Sequence, residues 1–273
     1  MDGLNFAGEM RKPVGIRPIR RSNDGLEAQL ADDPTLHEVA FHLRYEAYRS
    51  YQYIPDRPDQ LFSDTYDEQS NCRTVIVFKN GRPAATVRVS VFAPDRPESP
   101  GLRLQAMEIF GTEIEDTMAA LRLPDRQPRV MEIAKLARLP QFAKDIEVVF
   151  ALYRVAGYFI LHNDADIVFN AVRAHHVPMY RRFGFQELTP PRAYPGLTFK
   201  TALMACFRTS YDQARNNLPF LRGISTDDAA YHGLIAGERV PIFGAAAAPI
   251  SAGHQPGSSD RPSQTQDALH NRA

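Results

Sequence analysis

Residues 129–138, Arg-Val-Met-Glu-Ile-Ala-Lys-Leu-Ala-Arg, are the segment that most constrains the fold of this 273-residue chain. Apolar residues alternate with small or charged ones, and Pro128 and Pro140 bracket the segment, which is typical of a strand inside a sheet. Two charged side chains, Glu132 and Lys135, nevertheless interrupt it. Because burying an unpaired charge is expensive, these side chains must be paired or used in chemistry.

The segments that follow predict a central strand and a buried helix beside this strand. Residues 144–162 form a long, almost entirely apolar pattern, typical of a helix that is buried nearly all round. Residues 166–172 form a continuous apolar run, typical of a strand with both faces covered. In α/β proteins, ligands bind at the carboxyl ends of such strands. The surroundings of Glu132 are therefore the first candidate for a functional site.

The rest of the chain supplies a hairpin and further helices. Asp33-Pro34 is a typical helix start, and Asn80-Gly81 predicts the tight turn of a β-hairpin. The predicted order is a helix from residue 34, strands 74–79 and 84–92, a helix at 104–121, strand 129–138, helix 144–162, strand 166–172, a short helix at 175–183, strands beginning at 185 and 197, and a helix at 210–221. This order predicts an α/β (α+β) fold with a mixed twisted sheet flanked by helices.

Composition divides the chain into three parts. Residues 1–30 are basic and aperiodic, which predicts either a flexible tail or an arm that docks on an acidic partner. Residues 31–222 carry the periodic segments of one domain. Residues 223–273 are expected to be a C-terminal extension, disordered from about residue 244 because Ala, Ser, Gly, Pro and Gln bury too little apolar surface.

Charge and cysteine content argue against several classes of protein. Lys and Arg number 32, as do Asp and Glu, so the net charge of zero does not favour nucleic-acid binding. Cys72 and Cys206 are the only cysteines, which gives neither a disulfide framework nor a metal-binding signature. No segment reaches the roughly 20 apolar residues of a membrane span. We therefore expect a cytoplasmic protein without a bound metal or transmembrane segment.

Several short motifs, in this order, resemble the GNAT acyltransferase superfamily. The segment from His176 to Phe185 contains Tyr180-Arg-Arg-Phe-Gly184-Phe185 and is similar to the aromatic-x-x-x-Gly-Phe segment of that superfamily. The front half resembles the acyl-homoserine-lactone synthases and, more closely, the N-acyl amino acid synthases. The matching pieces, within about residues 35–207, are Leu43-Arg44-Tyr45 with Tyr48, Asp64-x-Tyr-Asp67, Ala85-Thr-Val-Arg88 and Glu132-Ile-Ala-Lys135.

Three departures favour the N-acyl amino acid branch over the lactone synthases. The lactone synthases carry a Trp after the first helix, and this chain has none. Phe62 stands where they carry a Glu, and Lys135 stands where they usually carry an Arg. The resemblance therefore implies a GNAT-like N-acyltransferase with a small amino-acid substrate.

The loop after the 129–138 strand bears on the acyl donor. Coenzyme-A-dependent relatives carry a Gly-containing loop whose backbone N–H groups bind the pyrophosphate. Residues 136–145 have no glycine here and include Pro140, which lacks an N–H. This departure implies acyl-phosphopantetheine on acyl carrier protein as co-substrate, with no other cofactor. Since acyl carrier proteins are acidic, Arg181, Arg182 and Arg192 are candidate docking residues.

Glu132 is the candidate general base. The α-ammonium of an amino acid has a pKa above 7, and a carboxylate whose pKa is raised by partial burial can take its proton. The alternative is a structural ion pair with Arg44 or Arg88. Lys135 lies three residues further on, so strict alternation turns it to the opposite face unless a β-bulge intervenes.

A network of charged residues is expected beside Glu132. Arg44, Asp64, Asp67 and Arg88 should pair with one another, because a buried arginine must be paired. The resemblance places them, with Tyr48, around the acyl-transfer pocket, where an arginine fork would bind the substrate carboxylate. The alternative is an ion-pair cluster that orders the first helices over the sheet.

We therefore expect an N-acyl amino acid synthase, which moves a long-chain fatty acyl group from acyl carrier protein to the α-amine of an amino acid. Tyr180 matches the tyrosine that protonates the leaving thiolate in many GNAT enzymes, and the alternative is a core aromatic residue. An acyl-homoserine-lactone synthase and an acyl-CoA-dependent GNAT N-acyltransferase remain open. A non-catalytic GNAT-like acyl-binding module is the alternative from a different class.

Overall fold

The protein is described here by a computed structural model, which covers residues 25–94 and 102–243. The strands are β1 (Leu26–Leu30), β2 (Cys72–Lys79), β3 (Arg82–Phe92), β4 (Val130–Arg138), β5 (Ile167–Arg173), β6 (Gln186–Glu187), β7 (Arg192–Ala193), β8 (Lys200–Phe207) and β9 (Val240–Pro241). The α-helices are α1 (Pro34–Ser50), α2 (Met107–Ala120), α3 (Ile146–His162), α4 (Val177–Arg182), α5 (Arg208–Asn217) and α6 (Ala229–Ile235). Short 3-10 turns lie at Thr65–Glu68, Pro140–Phe142 and Ala174–His176.

All nine strands in the described part of the chain belong to one sheet. Its order is β6-β8-β5-β4-β3-β2-β1-β9, and β7 also pairs with β8. β4 and β5 are parallel, whereas the other pairings among the described strands are antiparallel. A parallel pair requires a crossover connection, which α3 provides. The predicted mixed sheet flanked by helices is confirmed.

The helices cover both faces of the sheet, and this decides where the charged residues lie. The core that includes α3 contains Val87, Val89 and Met131 from β3 and β4. The core that includes α2 contains Val130 of β4, and α1 packs beside it. Because side chains alternate along a strand, Arg88 and Glu132 lie on the α1 and α2 face.

Two local predictions are explained by backbone geometry. The turn between β2 and β3 has positive φ at both Asn80 (51°) and Gly81 (74°). A two-residue hairpin turn of this kind requires positive φ at both positions, which Asn and Gly tolerate best. At the start of α1, the Asp33 carboxylate accepts the backbone N–H of Leu36 at 2.8 Å. Both predicted signals are confirmed.

The structure moves both predicted domain boundaries. Residues 26–30, assigned from sequence to the basic arm 1–30, form β1 and pair with β2. Residues 229–243, assigned to the C-terminal extension 223–273, contribute α6 and β9, and β9 pairs with β1. Strands of two to five residues carry too little periodicity to be recognised without their partners. The remaining predictions for the arm and the tail, at 1–24 and 244–273, lie outside the described residues.

Within residues 25–94 and 102–243, no helix is both long and apolar enough to cross a bilayer.

Candidate active site

A β-bulge in β4 brings Lys135 to the face of the sheet that carries Asp64. Between Thr86 and Arg88, β3 advances by two residues while β4 advances by three, so β4 holds one extra residue. Lys135 adopts a positive φ of 49° in this bulge. Its Nζ lies 2.9 Å from Asp64 Oδ2. Of the two possibilities for Lys135, strict alternation and a β-bulge, the structure contains the bulge, because the extra residue shifts the phase of the strand.

The predicted network of buried arginines and aspartates is present. Arg44 donates to Asp67 Oδ1 at 2.7 Å and to Thr74 Oγ1 at 2.8 Å. Arg88 Nη1 lies 2.5 Å from Asp64 Oδ1 and 3.2 Å from Asp67 Oδ1. Both arginine side chains are fully buried, and the Nη atoms of each are bonded to protein groups. Neither fork is open to a substrate carboxylate, so the contacts favour the ordering role.

The spacing of Asp64 and Asp67 follows from a local cap. Asp64 Oδ1 accepts the Tyr66 N–H at 3.0 Å, and Asp67 Oδ2 accepts the Asp64 N–H at 3.0 Å. This reciprocal capping box orders the 3-10 turn and presents both carboxylates to the arginines. Burial raises the pKa of Asp64, but Lys135 and Arg88 outweigh it and bring that pKa to about 2.

Glu132 is buried with half of its carboxylate unused. Its side chain is 2% exposed, and Oε1 accepts the Ala106 N–H at 3.1 Å. Oε2 has no hydrogen-bond partner among the described residues. Burial raises the pKa of Glu132, and this is partly offset by the charge of Arg88 and by the backbone N–H groups of Ala106 and Gln105. No ion pair joins Glu132 to Arg44 or Arg88 in the described chain, so the alternative of a direct structural pair is not what the structure contains.

The sheet opens beside Glu132. β4 pairs with β5 only from Val130 to Glu132, opposite Ile167 to Phe169. Beyond that point the facing edges of the two strands have no strand partner within the described residues. The buried amide of Asn170 bridges the opening and donates to the Ile133 carbonyl at 2.9 Å. The two strands thus separate in the middle of the sheet at the register of Glu132, and the space between them beyond that register is the candidate cleft.

Tyr180 reaches this cleft from α4. The Asn170 amide lies 3.4 Å from the Tyr180 hydroxyl, which is also hydrogen-bonded to Tyr153. Burial raises the pKa of Tyr180, although both hydrogen bonds act in the opposite direction. The hydroxyl therefore stays protonated at neutral pH. Phe183 and Phe185 pack around the ring, so Tyr180 is also a core residue.

Aromatic side chains cover the cleft on the α1 side. The Tyr48 ring packs 4.9 Å from Phe62 and 6.5 Å from Phe199. Tyr53 packs edge-on against Phe199 at 4.8 Å. Lys135 Nζ lies 4.5 Å from the centre of the Phe62 ring, a cation–π contact. Tyr48 therefore stands between the ion-pair network and the end of β5, and burial raises its pKa.

Comparison with known proteins assigns this architecture to a family. The family model for the N-acyl amino acid synthase FeeM matches residues 39–206. This chain belongs to the FeeM family. It is an acyltransferase with a GNAT-like fold. A search of curated protein sequences finds no match.

Several solved structures are similar to this FeeM-family acyltransferase, and FeeM itself shares its fold. FeeM, an N-acyl amino acid synthase from uncultured soil microbes, is 14% identical with a TM-score of 0.56, over 73% of this chain and 98% of FeeM. The acyl-homoserine-lactone (AHL) synthase LasI is 14% identical with a TM-score of 0.47, over 66% of this chain and 88% of LasI. The CoA-dependent acyl-homoserine lactone synthase BjaI is 15% identical with a TM-score of 0.47, over 77% of this chain and 99% of BjaI.

The amino terminus of α3 is occupied by carboxylates in this FeeM-family protein. Asp145 is the N-cap, and its Oδ1 accepts the Glu147 N–H at 3.1 Å. Lys79 forms ion pairs with both Asp145 and Glu147. The preceding 3-10 turn, Pro140–Phe142, contains no glycine. An acidic cap at this helix end opposes a bound pyrophosphate by charge and by taking up backbone donors.

The candidate docking arginines do not form one group. Arg181 and Arg182 are exposed on α4, and Arg181 pairs with Glu187 at 2.8 Å. Arg192 instead contacts α2, where it pairs with Glu113 and donates to the Ile109 carbonyl at 3.2 Å. Their role in docking stays a prediction, with Arg192 already engaged by the protein.

The surroundings of Cys72 and Cys206 do not favour a reactive thiolate at either position. Burial raises the pKa of Cys72 to about 11 and that of Cys206 to about 12, so both thiols are protonated at neutral pH. Across the described residues, no cluster of three or more His, Cys, Asp or Glu side chains could hold a metal ion.

Sequence reasoning missed several residues that complete the site. Gln105 accepts from Arg88, and Asn170 bridges β4 and β5. Arg173 and Tyr53 lie at the end of the cleft. Asn170 could have been predicted, because it places an amide inside the apolar segment 166–172 and a buried amide needs a hydrogen-bond partner. The other three residues carry no signal in sequence, since their roles depend on neighbours distant along the chain.

Proposed function

We propose that this acyltransferase moves a long-chain fatty acyl group from acyl carrier protein to the α-amine of an amino acid. The product is an N-acyl amino acid. The FeeM family match supports the reaction class. One observation supports placing this reaction at Glu132. Its Oε2 is buried and has no hydrogen-bond partner among the described residues, and it lies at the register where β4 and β5 separate.

An unused carboxylate oxygen in this position favours a role in proton transfer. Leaving a buried acceptor unpaired costs about 1–3 kcal/mol, so binding of a water or of a substrate ammonium group at Oε2 would be favoured. Burial also raises the pKa of Glu132, which makes its carboxylate a stronger base. A base with such a pKa can take a proton from an ammonium group directly or through a water.

The proposed reaction proceeds by direct transfer. Glu132 removes a proton from the α-ammonium, and the free amine attacks the thioester carbonyl to form a tetrahedral intermediate. Backbone N–H groups along the unpaired edge of β4 are the candidate oxyanion donors. The C–S bond then breaks, Tyr180 donates its proton to the thiolate, and the second proton lost by the nitrogen restores the Tyr180 hydroxyl. One proton ends on the thiol and the other reaches solvent through Glu132.

The amino terminus of α3 supports acyl carrier protein as the acyl donor. The Asp145 cap and the glycine-free turn before it disfavour a pyrophosphate there, whereas phosphopantetheine on acyl carrier protein has none. We include acyl carrier protein as the partner, with no cofactor beyond its acyl-phosphopantetheine. A cytoplasmic location belongs to the same proposal, because the buried cysteines are both free, as in a reducing compartment.

The test compares two donors that carry the same acyl chain. Purified protein is incubated with long-chain acyl carrier protein or acyl-CoA and the standard amino acids, and N-acyl products are identified by mass spectrometry. We expect N-acyl amino acids, formed faster from acyl carrier protein. Turnover with acyl-CoA but none with acyl carrier protein would sink the donor assignment. A lactone product formed from S-adenosylmethionine would instead support the acyl-homoserine-lactone alternative.

A further inference from the structure

Within the described residues, Arg173 differs from Arg44 and Arg88, the two fully buried arginines of the site, in having no acidic partner. It is the last residue of β5, on the same face as Phe169, which packs with α2. No carboxylate lies within ion-pair distance of it among the described residues, whereas Arg44 and Arg88 are both paired. Its polar contact in the described chain is His176 Nε2, at 3.4 Å.

Its neighbours hold the guanidinium in place without neutralising it. The Arg173 guanidinium lies 4.6 Å from the centre of the Tyr53 ring and 5.5 Å from that of Phe199. The pKa of His176 is lowered to about 4 by burial and by the charge of Arg173, so this imidazole is neutral at pH 7 and accepts a hydrogen bond. The arginine is therefore oriented by aromatic faces and a neutral acceptor, while its charge stays uncompensated.

The charge of Arg173 acts on the reacting end of the cleft. It lowers the pKa of the Tyr48 hydroxyl and that of the Tyr180 hydroxyl, against the larger effect of burial in each case. Through Phe199, which packs against both Arg173 and Tyr48, Arg173 is in contact with the aromatic cluster beside the ion-pair network. An unpaired guanidinium in a partly dry cleft favours an anionic ligand, and its planar fork matches a carboxylate.

We propose that Arg173 binds the α-carboxylate of the amino-acid acceptor, with Tyr53 and Phe199 as the walls of this subsite. This assignment rests on the proposed function, because it takes the acceptor to be an amino acid. It replaces Arg44 and Arg88 in that role, since their forks are filled by Asp64, Asp67, Thr74 and Gln105.

The test measures preference for a carboxylate over a carboxamide. The amino acid with the highest turnover in the donor experiment is compared with its own α-carboxamide. Wild-type protein should use the carboxylate about 10- to 100-fold better in kcat/KM, as a charge-assisted bidentate contact predicts. Arg173→Gln should abolish this preference and leave the KM for the acyl donor unchanged. Arg173→Lys should keep an intermediate preference, because it retains the charge without the fork.

A matched control is available at the far edge of the sheet. Arg239 also stacks on an aromatic ring, Phe78, at 3.6 Å and has no acidic partner within the described residues. Arg239→Gln should keep the full carboxylate preference. An Arg173→Gln variant that keeps it as well would overturn the assignment. A rise in the KM for acyl carrier protein, with the acceptor preference intact, would overturn it in favour of a donor phosphate.

A binding readout separates this inference from the proposed function. Millimolar amino acid should raise the Tm of the wild-type protein, its carboxamide should not, and Arg173→Gln should remove the difference. Arg173-dependent stabilisation without any N-acyl product would sink the proposed function alone. The Arg173 assignment would be overturned if the amino acid and its carboxamide gave the wild-type protein the same Tm and the same turnover.

Discussion

The ammonium of Lys135 lies 2.9 Å from the carboxylate of Asp64, although regular alternation along β4 would separate them by the thickness of the sheet. The bulge that joins them lies after Glu132, within the stretch of β4 that no longer pairs with β5. One extra residue therefore does two things. It completes the ion-pair network around Arg88, and it ends regular strand geometry where the thioester is proposed to lie.

Removing the Lys135 charge should weaken the protein in acid. Asp64 ionises near pH 3.8 in the unfolded chain and at about pH 2 in the folded protein. Its contribution, about 2 kcal/mol, is therefore present above about pH 4 and is lost as the pH falls towards 2. Lys135→Met should raise the folded-state pKa of Asp64 and move the acid-unfolding midpoint, followed by circular dichroism, to higher pH. Lys200→Met, at an exposed position, is the control and should leave the midpoint unchanged.

Replacing Glu132 should remove catalysis without unfolding the protein. Glu132→Gln keeps the volume and the acceptor for the Ala106 N–H, so we expect turnover to fall by about 100-fold or more. In the wild type, kcat/KM should fall as the pH drops through the raised pKa of Glu132, because the proton-accepting form disappears; this limb should be absent in the variant. Unchanged turnover in Glu132→Gln would remove the role of base. Glu38→Gln, at an exposed position on α1, serves as the control.

Tyr180 should matter for its hydroxyl more than for its ring. Tyr180→Phe retains the packing against Phe183 and Phe185, so stability should change by less than about 1.5 kcal/mol. Turnover should drop about 10- to 100-fold, because the thiolate leaves without a proton donor. Tyr231→Phe, which removes another buried hydroxyl from a helix outside the cleft, should leave turnover at the wild-type level. Equal activity of the two variants would contradict the assignment.

The two arginines of α1 should differ sharply in their effect on stability. Arg44→Met leaves Asp67 without its closest partner and should cost about 3–5 kcal/mol in urea unfolding. Adding Asp67→Asn, which keeps the capping acceptor but removes the charge, should restore part of that loss. Arg49, whose ion pair with Asp56 is exposed, should tolerate Arg49→Met with little change. An equal loss in both single variants would show that burial of the pair does not decide its energy.

Pairing rules identified the members of the network but not its geometry. Arg44, Asp64, Asp67 and Arg88 were predictable because a charge inside an apolar segment needs a partner, and these residues are the charges available. The face of Lys135 stayed open between strict alternation and a β-bulge, because a bulge depends on the register between two strands. That register results from packing across both faces of the sheet, which local alternation does not contain.

The same division holds for the donor and the acceptor. The absence of glycine in residues 136–145 was visible in sequence and already disfavoured pyrophosphate. The tertiary structure added that Asp145 caps α3 and that Lys79 holds it there. It also showed that the guanidinium groups of Arg44 and Arg88 are bonded to protein groups, whereas Arg173 has no acidic partner in the described chain. Which arginine can bind a substrate carboxylate depends on where acidic side chains come to lie after folding.

The sequence by itself determined the order of strands and helices, the family resemblance and the residues that must not be buried alone. Those properties are local: periodicity, caps, turns and the cost of burying a charge act over a few residues. The tertiary structure alone decided that β4 and β5 separate after Glu132 and that Lys135 reaches Asp64. It also decided that Arg173, at the end of β5, contacts His176 and has no carboxylate partner among the described residues. Each of these depends on contacts between segments far apart in the chain, which form only when the sheet closes around its core.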